Sequence, residues 1–161
     1  AAARAARAGW PTERILTLLE HIAAATESLY TLKELKYLIH GGRISHLKGL
    51  VASLLNIKPL IGVEKVNGTY VQLAQARTFG KALRSMVNHL AGEHPLGSAM
   101  RVQVLHSNDP AGAATLRDLV DQAFDCTWLP TGPISLVLGA HTGPSMVGVA
   151  YAPTAAFAGV P

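Results

Sequence analysis

The sequence predicts a mixed α/β fold (α+β in some schemes), with helices flanking a sheet that contains an antiparallel hairpin. Strand-like apolar runs alternate with helical stretches of about 10–15 residues, the pattern of layered α/β domains. Asn67-Gly68 separates the β-prone halves of the segment 57–76, and Asn-Gly favours a type I′ turn because both central residues need positive φ. Hydrophobic residues make up 49% of the 161 positions and charged residues 15%, which is enough apolar side chain for one buried core.

The first half of the chain carries three predicted helices. Apolar residues at helical spacing follow Pro11, which indicates an amphipathic helix beginning there. A second helix is expected from Thr31, whose spacing to Glu34 is that of a capping box, and it ends at Gly41-Gly42. Ser45 can cap a third helix, so the residues between form a tight helix-to-helix junction.

The second half alternates helices with short strands. Thr78 is predicted to cap one helix, and Asp109 with Pro110 a second. The apolar composition predicts strands at 100–105, 126–129, 134–138 and 146–151. The residues from 152 onward are rich in Pro, Gly and Ala, and we expect them to be loosely held.

Composition disfavours several classes of function. The net charge of +4 is small, and the basic residues do not cluster with aromatic ones as nucleic-acid binding would favour. The sequence contains no apolar run of about 18 residues and no zinc-spaced Cys/His pattern, so neither a membrane span nor a metal site is expected. A single cysteine, Cys126, fits a reducing cytoplasm, and no glycine pattern typical of nucleotide binding follows a strand.

The first candidate site is the junction Gly41-Gly42-Arg43-Ile44-Ser45. The helix expected to begin there would present unpaired N–H groups, and the planar guanidinium of Arg43 suits two oxygens of one anion. Gly41, Gly42 and Ser45 would shape the loop. The alternative is an ordinary glycine C-cap followed by a solvated arginine.

The second candidate is His141 in the glycine-bounded segment 139–145, which is expected to follow an apolar strand. Ligands of α/β sheets bind at the carboxyl ends of strands, and an imidazole there could donate to a carboxylate. Thr142, Gly143 and Pro144 would support the loop. The alternative is a structural histidine that holds its own loop.

Two other groups are weaker candidates. Arg77 precedes the capping residue Thr78, where a surface arginine is the simpler interpretation. His106, Ser107 and Asp109 are close in sequence, but Asp109 is better explained as a helix cap. A small hydrolase or acyl transferase that uses His141 as base and Ser145 or Ser107 as nucleophile remains the alternative function, although no nucleophile elbow is present.

Four motifs in register resemble the DegV family, and the likeness covers the chain from about residue 5 to residue 151. They are LKYLIHGGRIS at 35–45, LNIKP at 55–59, ART at 76–78 and HTGP at 141–144. The resemblance implies a bacterial fatty-acid-binding protein of two α/β domains, with no cofactor beyond the bound lipid. Residues 1–44 would be the closing helices and linker of a truncated amino-terminal domain, and 45–161 the DegV-like carboxy-terminal domain.

The resemblance also implies roles for particular residues. Arg43 and His141 match positions that hold the fatty acid carboxylate at the interdomain cleft. Arg77 matches a surface position for docking or phosphotransfer with a separate ATP-using fatty acid kinase subunit, to which the carrier would present the lipid for acyl-phosphate formation. By the same resemblance, the family's other carboxylate ligands would belong to an amino-terminal domain outside this sequence. Ser145 stands where the family usually has glycine, a departure that could alter how closely a ligand approaches His141.

Overall fold

The computed structural model describes residues 1–42 and 57–161. Within them the α-helices are α1 (Ala2–Arg7), α2 (Thr12–Ala25), α3 (Lys36–His40), α4 (Phe79–Glu93), α5 (Pro110–Asp121) and α6 (Leu136–Thr142). The strands are β1 (Glu27–Leu32), β2 (Lys58–Glu64), β3 (Thr69–Ala76), β4 (Ala99–His106), β5 (Asp125–Trp128), β6 (Gly132–Pro133) and β7 (Met146–Pro153). A short 3-10 helix, Thr154–Phe157, follows β7.

All seven of these strands form one mixed sheet in the order β3-β2-β1-β7-β4-β5, and β6 pairs with the far end of β4. The four neighbouring pairs β3-β2, β2-β1, β1-β7 and β7-β4 are antiparallel, while β4 runs parallel to β5 and β6. The predicted mixed α/β class with an antiparallel hairpin is therefore confirmed. β1 lies between β2 and β7 in the middle of the sheet.

The two faces of the sheet have different partners. α4 packs against β1, β2 and β3, and α5 packs against β4, β5 and β7. Tyr151 points to this face, since its hydroxyl donates to Glu93 of α4 at 2.6 Å. Because side chains alternate along a strand, Gly148 and Ala150 of β7 point to the opposite face, as does Tyr30, which pairs with Gly148. That opposite face carries the candidate site.

Several capping predictions are confirmed. α2 begins directly after Pro11, and α3 ends at Gly41. The Thr78 side chain accepts a hydrogen bond from the Lys81 N–H at 3.3 Å. Asp109 Oδ1 accepts from the Gly112 N–H at 3.1 Å, and Pro110 opens α5.

The strand predicted at 134–138 is wrong, because this segment enters helix α6. The Ser135 hydroxyl accepts a hydrogen bond from the Leu138 N–H at 3.3 Å and caps the helix. A five-residue apolar run has no periodicity long enough to separate a strand from a short helix, so this local cap decides the outcome. His141 accordingly lies in the last turn of a helix rather than in a loop after a strand.

The predicted capping box at Thr31 is also wrong. Thr31 is fully buried within β1, where it pairs with Val147, and the following helix does not begin until Lys36. Pairing on both sides by β2 and β7 overrides the local cap pattern. The carboxyl end is better packed than expected, because Ala152 is 1% exposed and Ala156 6% exposed.

The hairpin is confirmed, but its turn is not the two-residue type I′ turn that was expected. Four residues separate β2 from β3, and of these only Gly68 has positive φ, at 64°. Glu64 organises the turn by accepting hydrogen bonds from the N–H groups of Asn67 and Val66, which also lower the pKa of its carboxyl. The conformation of the turn therefore depends on the Glu64 carboxylate as well, and the Asn-Gly pair alone does not predict it.

The helix predicted from Ser45 and the domain boundary between 44 and 45 lie outside the described residues, and the boundary stays a prediction. Residues on its amino-terminal side do contribute to the described sheet, since β1 pairs with both β2 and β7.

Candidate functional site

The end of α3 lies against the end of α6. A Cβ added at Gly41 would stand 2.8 Å from Nδ1 of His141 and 3.0 Å from the backbone oxygen of Tyr37. Both distances are shorter than ordinary contacts, so only glycine allows the chain to pass this close to the imidazole. Gly41, which belongs to the described part of the first sequence motif, therefore packs against His141.

A second contact joins the same two segments. Gly143 has a φ of 73°, and a Cβ there would lie 2.1 Å from Cδ2 of Tyr37. The Tyr37 ring thus packs directly on the backbone of residue 143, whose left-handed conformation also favours glycine. The described part of segment 35–45 and the segment 141–144, which are remote in sequence, therefore pack against each other around His141.

His141 is half-buried and lines an apolar cavity of about 300 Å³ beneath α6. The other lining residues are Tyr30, Leu38, Tyr70, Ser135, Val137, Leu138 and Thr142. Aliphatic and aromatic side chains provide most of this wall, and His141 provides an imidazole. Such a cavity suits an apolar ligand with one polar end.

A second cavity of about 170 Å³ lies next to the first, over the face of the sheet. The two cavities share Tyr30, Tyr70 and Leu138 in their walls. The second is also lined by small residues of the two central strands, Ser28, Gly148 and Ala150. We refer to the two cavities together as the slot.

The residues around His141 hold the end of α6 in place. The Thr142 hydroxyl is buried and donates to the carbonyl of Leu138 at 2.9 Å. The Ser145 hydroxyl accepts from the N–H of Lys33 at 3.2 Å and ties the start of β7 to the segment after β1. Pro144 lines a wider, open cavity of about 500 Å³ on the other side of α6.

The remaining site predictions are not tested. Arg43 and Ser45 lie outside the described residues. Gly42 is exposed with a φ of 69°, a conformation that favours glycine. Arg77 is exposed and follows β3 directly.

The group at His106, Ser107 and Asp109 is structural. Asp109 caps α5 and pairs with the Lys33 ammonium at 2.6 Å, and Nδ1 of His106 accepts from the Asp109 N–H at 3.3 Å. Within residues 1–42 and 57–161, neither Ser107 nor Ser145 is hydrogen-bonded to His141. The interpretation of Asp109 as a cap is confirmed.

The described parts of the chain contain neither a metal-binding cluster nor a membrane-spanning helix. No group of three or more His, Cys, Asp or Glu residues there is placed to hold a metal ion. None of the helices found there has the length and apolar character needed to cross a membrane.

Sequence reasoning missed Tyr30 and Tyr70, which meet edge-to-face in the slot with ring centroids 5.8 Å apart. The usable signal was the alternation in β1, where Ser28 and Tyr30 occupy one face. The neighbouring Thr31 obscures this alternation, because its spacing to Glu34 predicts a helix cap.

The DegV family, described as a family of uncharacterised proteins, matches residues 1–154. The chain belongs to the DegV family. A DegV domain-containing protein of Deinococcus radiodurans is 31% identical over 151 residues, which are 94% of this chain and 53% of that protein. A protein of Thermotoga maritima named fatty acid-binding protein is 28% identical over 122 residues, or 76% of this chain and 42% of its own.

Solved structures of the DegV family share this fold. One from Thermus thermophilus, described by its fatty acid binding, superimposes with a TM-score of 0.82 at 24% identity and covers 94% of this chain and 54% of its own. The chain thus spans about half the length of the DegV relatives it matches.

Proposed function

We propose that this DegV family chain binds a long-chain fatty acid, with the carboxylate held by Arg43 and His141 and the acyl chain in the slot. One observation carries the proposal: His141 stands in the wall of an apolar slot and is packed against Gly41, two positions before Arg43. An imidazole and a guanidinium both donate hydrogen bonds to carboxylate oxygens.

Burial of the acyl chain would supply most of the affinity. Each buried methylene contributes about 0.8 kcal/mol, so a dozen would give roughly 10 kcal/mol before the costs of association and ordering. The head-group contacts contribute less affinity and fix the direction of the chain. This division of the binding free energy is consistent with a slot whose wall is mostly aliphatic and aromatic.

The named function of the Thermotoga maritima relative supports the same ligand class. Because the chain covers only 42% of that relative, the proposal concerns the complete binding protein, in which a further α/β domain supplies the other head-group donors at an interdomain cleft. Residues 1–44 would lead from that domain into the one described here, to whose sheet they contribute β1.

We further propose that the protein is a cytoplasmic carrier without chemistry of its own. A separate ATP-using fatty acid kinase would phosphorylate the bound carboxylate, and the exposed Arg77 would contact that partner. The alternative of a hydrolase gains no support, because within the described residues neither Ser145 nor Ser107 is hydrogen-bonded to His141.

Lipid extraction of the purified protein, followed by mass spectrometry, tests the binding function. The proposal predicts a copurifying fatty acid and a fatty acid dissociation constant about 10- to 100-fold weaker in His141→Ala, the loss expected for one hydrogen bond to a charged group. His21→Ala is the matched control, because His21 is exposed on α2. A lipid-free extract together with no measurable binding by the unaltered protein would contradict the proposal.

The carrier role is tested separately, with a fatty acid kinase that phosphorylates the bound lipid. Arg77→Glu should bind fatty acid as the unaltered protein does but lower acyl-phosphate formation at least tenfold, because the charge reversal opposes docking. Arg84→Glu reverses another exposed charge, on α4, and serves as control. Equal phosphorylation of all three proteins would refute the role of Arg77.

A further inference from the structure

Among the described residues that line the slot, Tyr30 is the one whose buried hydroxyl has no hydrogen-bond partner. The residue is 5% exposed, and its hydroxyl makes no hydrogen bond with any residue in the described segments. Buried hydroxyl groups in folded proteins are nearly always hydrogen-bonded, so this one requires an explanation. Its neighbours in the slot are mainly apolar, and the residue itself lines both cavities.

The position of Tyr30 is fixed by the centre of the sheet. It pairs with Gly148 on one side and Ile61 on the other. A Cβ added at Gly148 would lie 3.1 Å from Cβ of Tyr30, so glycine at this position lets the tyrosine sit against β7. The Tyr70 ring, edge-on to Tyr30, restricts the ring from the β3 side.

Tyr30 lines both cavities of the slot, whereas His141 lines only the first. A ligand whose polar end lies beside His141 would therefore meet the phenol in the same cavity before its chain continues into the second. Burial raises the pKa of Tyr30 far above neutrality, with a smaller contribution from Tyr70. The phenol keeps its proton and remains a hydrogen-bond donor.

We propose that the Tyr30 hydroxyl donates a hydrogen bond to the ligand carboxylate that His141 also contacts, which makes Tyr30 a further head-group ligand supplied by the central strand. This inference rests on the proposed fatty acid function. A carboxylate has two oxygens and about four acceptor sites, so it accommodates a phenol, an imidazole and a guanidinium together. Binding would at the same time satisfy the donor that is unpaired in the described structure.

The test compares the acid with an ester of the same chain. Dissociation constants for palmitic acid and methyl palmitate are measured with the unaltered protein and with Tyr30→Phe, which keeps the ring and removes the hydroxyl. We expect the substitution to weaken binding of the acid about tenfold or more and that of the ester threefold or less, because hydrogen bonds to charged acceptors are the stronger ones.

Tyr151→Phe is the matched control. Tyr151 is also buried, but its hydroxyl donates to Glu93 on the opposite face of the sheet. Removal of that hydroxyl should leave palmitic acid binding within twofold of the unaltered protein, and thermal unfolding establishes that both variants are folded.

Two results are decisive against the proposal. Unchanged acid binding by Tyr30→Phe would mean that the hydroxyl does not contact the ligand, as would be the case if an internal water satisfied it. Equal losses for acid and ester would assign Tyr30 a packing role only. Failure of the unaltered protein to bind palmitic acid would instead contradict the fatty acid function itself, and the two failures are thus distinguishable.

Discussion

Gly41→Ala should weaken fatty acid binding without any change to a residue that donates to the ligand. The added methyl would lie 2.8 Å from Nδ1 of His141 and 3.0 Å from the Tyr37 backbone oxygen. The carbonyl belongs to α3 and cannot rotate away, so the imidazole has to move. Ordinary contact begins at 3.4 Å, which requires a displacement of about 0.6 Å.

A shift of this size is enough to remove a hydrogen bond. From a usual N···O separation of about 2.9 Å, a further 0.6 Å reaches about 3.5 Å, beyond the effective range. The loss of one hydrogen bond to a charged group costs about 1.5–3 kcal/mol, or about 10- to 100-fold in the dissociation constant. Overpacking should also lower the free energy of unfolding by about 1–3 kcal/mol.

Displacement of a fluorescent fatty acid measures the affinity, and urea unfolding monitored by circular dichroism measures the stability. Gly80→Ala is the matched control, because a Cβ at Gly80 on α4 meets no atom within 4 Å. The control should bind like the unaltered protein. Tight binding by a folded Gly41→Ala protein would refute the claim that this glycine positions His141 against the carboxylate.

Three further predictions concern parts of the chain outside the slot. Burial, together with Asp121 and Asp125, raises the pKa of the Cys126 thiol to about 11. At pH 8 the fraction of Cys126 present as thiolate should therefore be about a hundredfold lower than that of a thiol with pKa 9.0. Iodoacetamide should react with Cys126 much faster after the protein is unfolded in urea, and equal rates before and after unfolding would contradict this. Gly92→Ala in the last turn of α4 should stabilise the protein by about 0.5–1 kcal/mol, because the added Cβ meets open space and helical glycine is costly. Gly112→Ala should destabilise the protein instead, because its Cβ would lie 2.8 Å from Asp109 Oδ2. Urea titrations in which both substitutions changed the free energy of unfolding in the same direction would contradict this packing.

Elements with local signals could be predicted from the sequence. Thr78 and Asp109 cap their helices through their own side chains, so three or four neighbouring residues define each boundary. The hairpin was predictable for the same reason, although its turn depends on the Glu64 carboxylate as well as on Gly68. Strand β1 was not predictable from its own residues, because pairing with β2 on one edge and β7 on the other decides its conformation.

The candidate site was predictable in part. His141 was identified from its glycine-bounded segment, although the helix that carries it was not, since Ser135 caps only seven residues. Gly41 and Gly143 stood out as motif residues, but the reason for them is contact with His141 and Tyr37 across the fold. Strand alternation can place Tyr30 on one face of β1 with Ser28, but the unpaired state of its hydroxyl depends on packing between distant segments, which the sequence does not show.

A crystal structure of the complete protein with its bound fatty acid tests the central claim most directly. The account predicts both carboxylate oxygens within hydrogen-bond distance of the Arg43 and His141 side chains, with the acyl chain running past Tyr30 into the second cavity. A fatty acid carboxylate bound elsewhere, or Arg43 and His141 on opposite sides of the molecule, would contradict it.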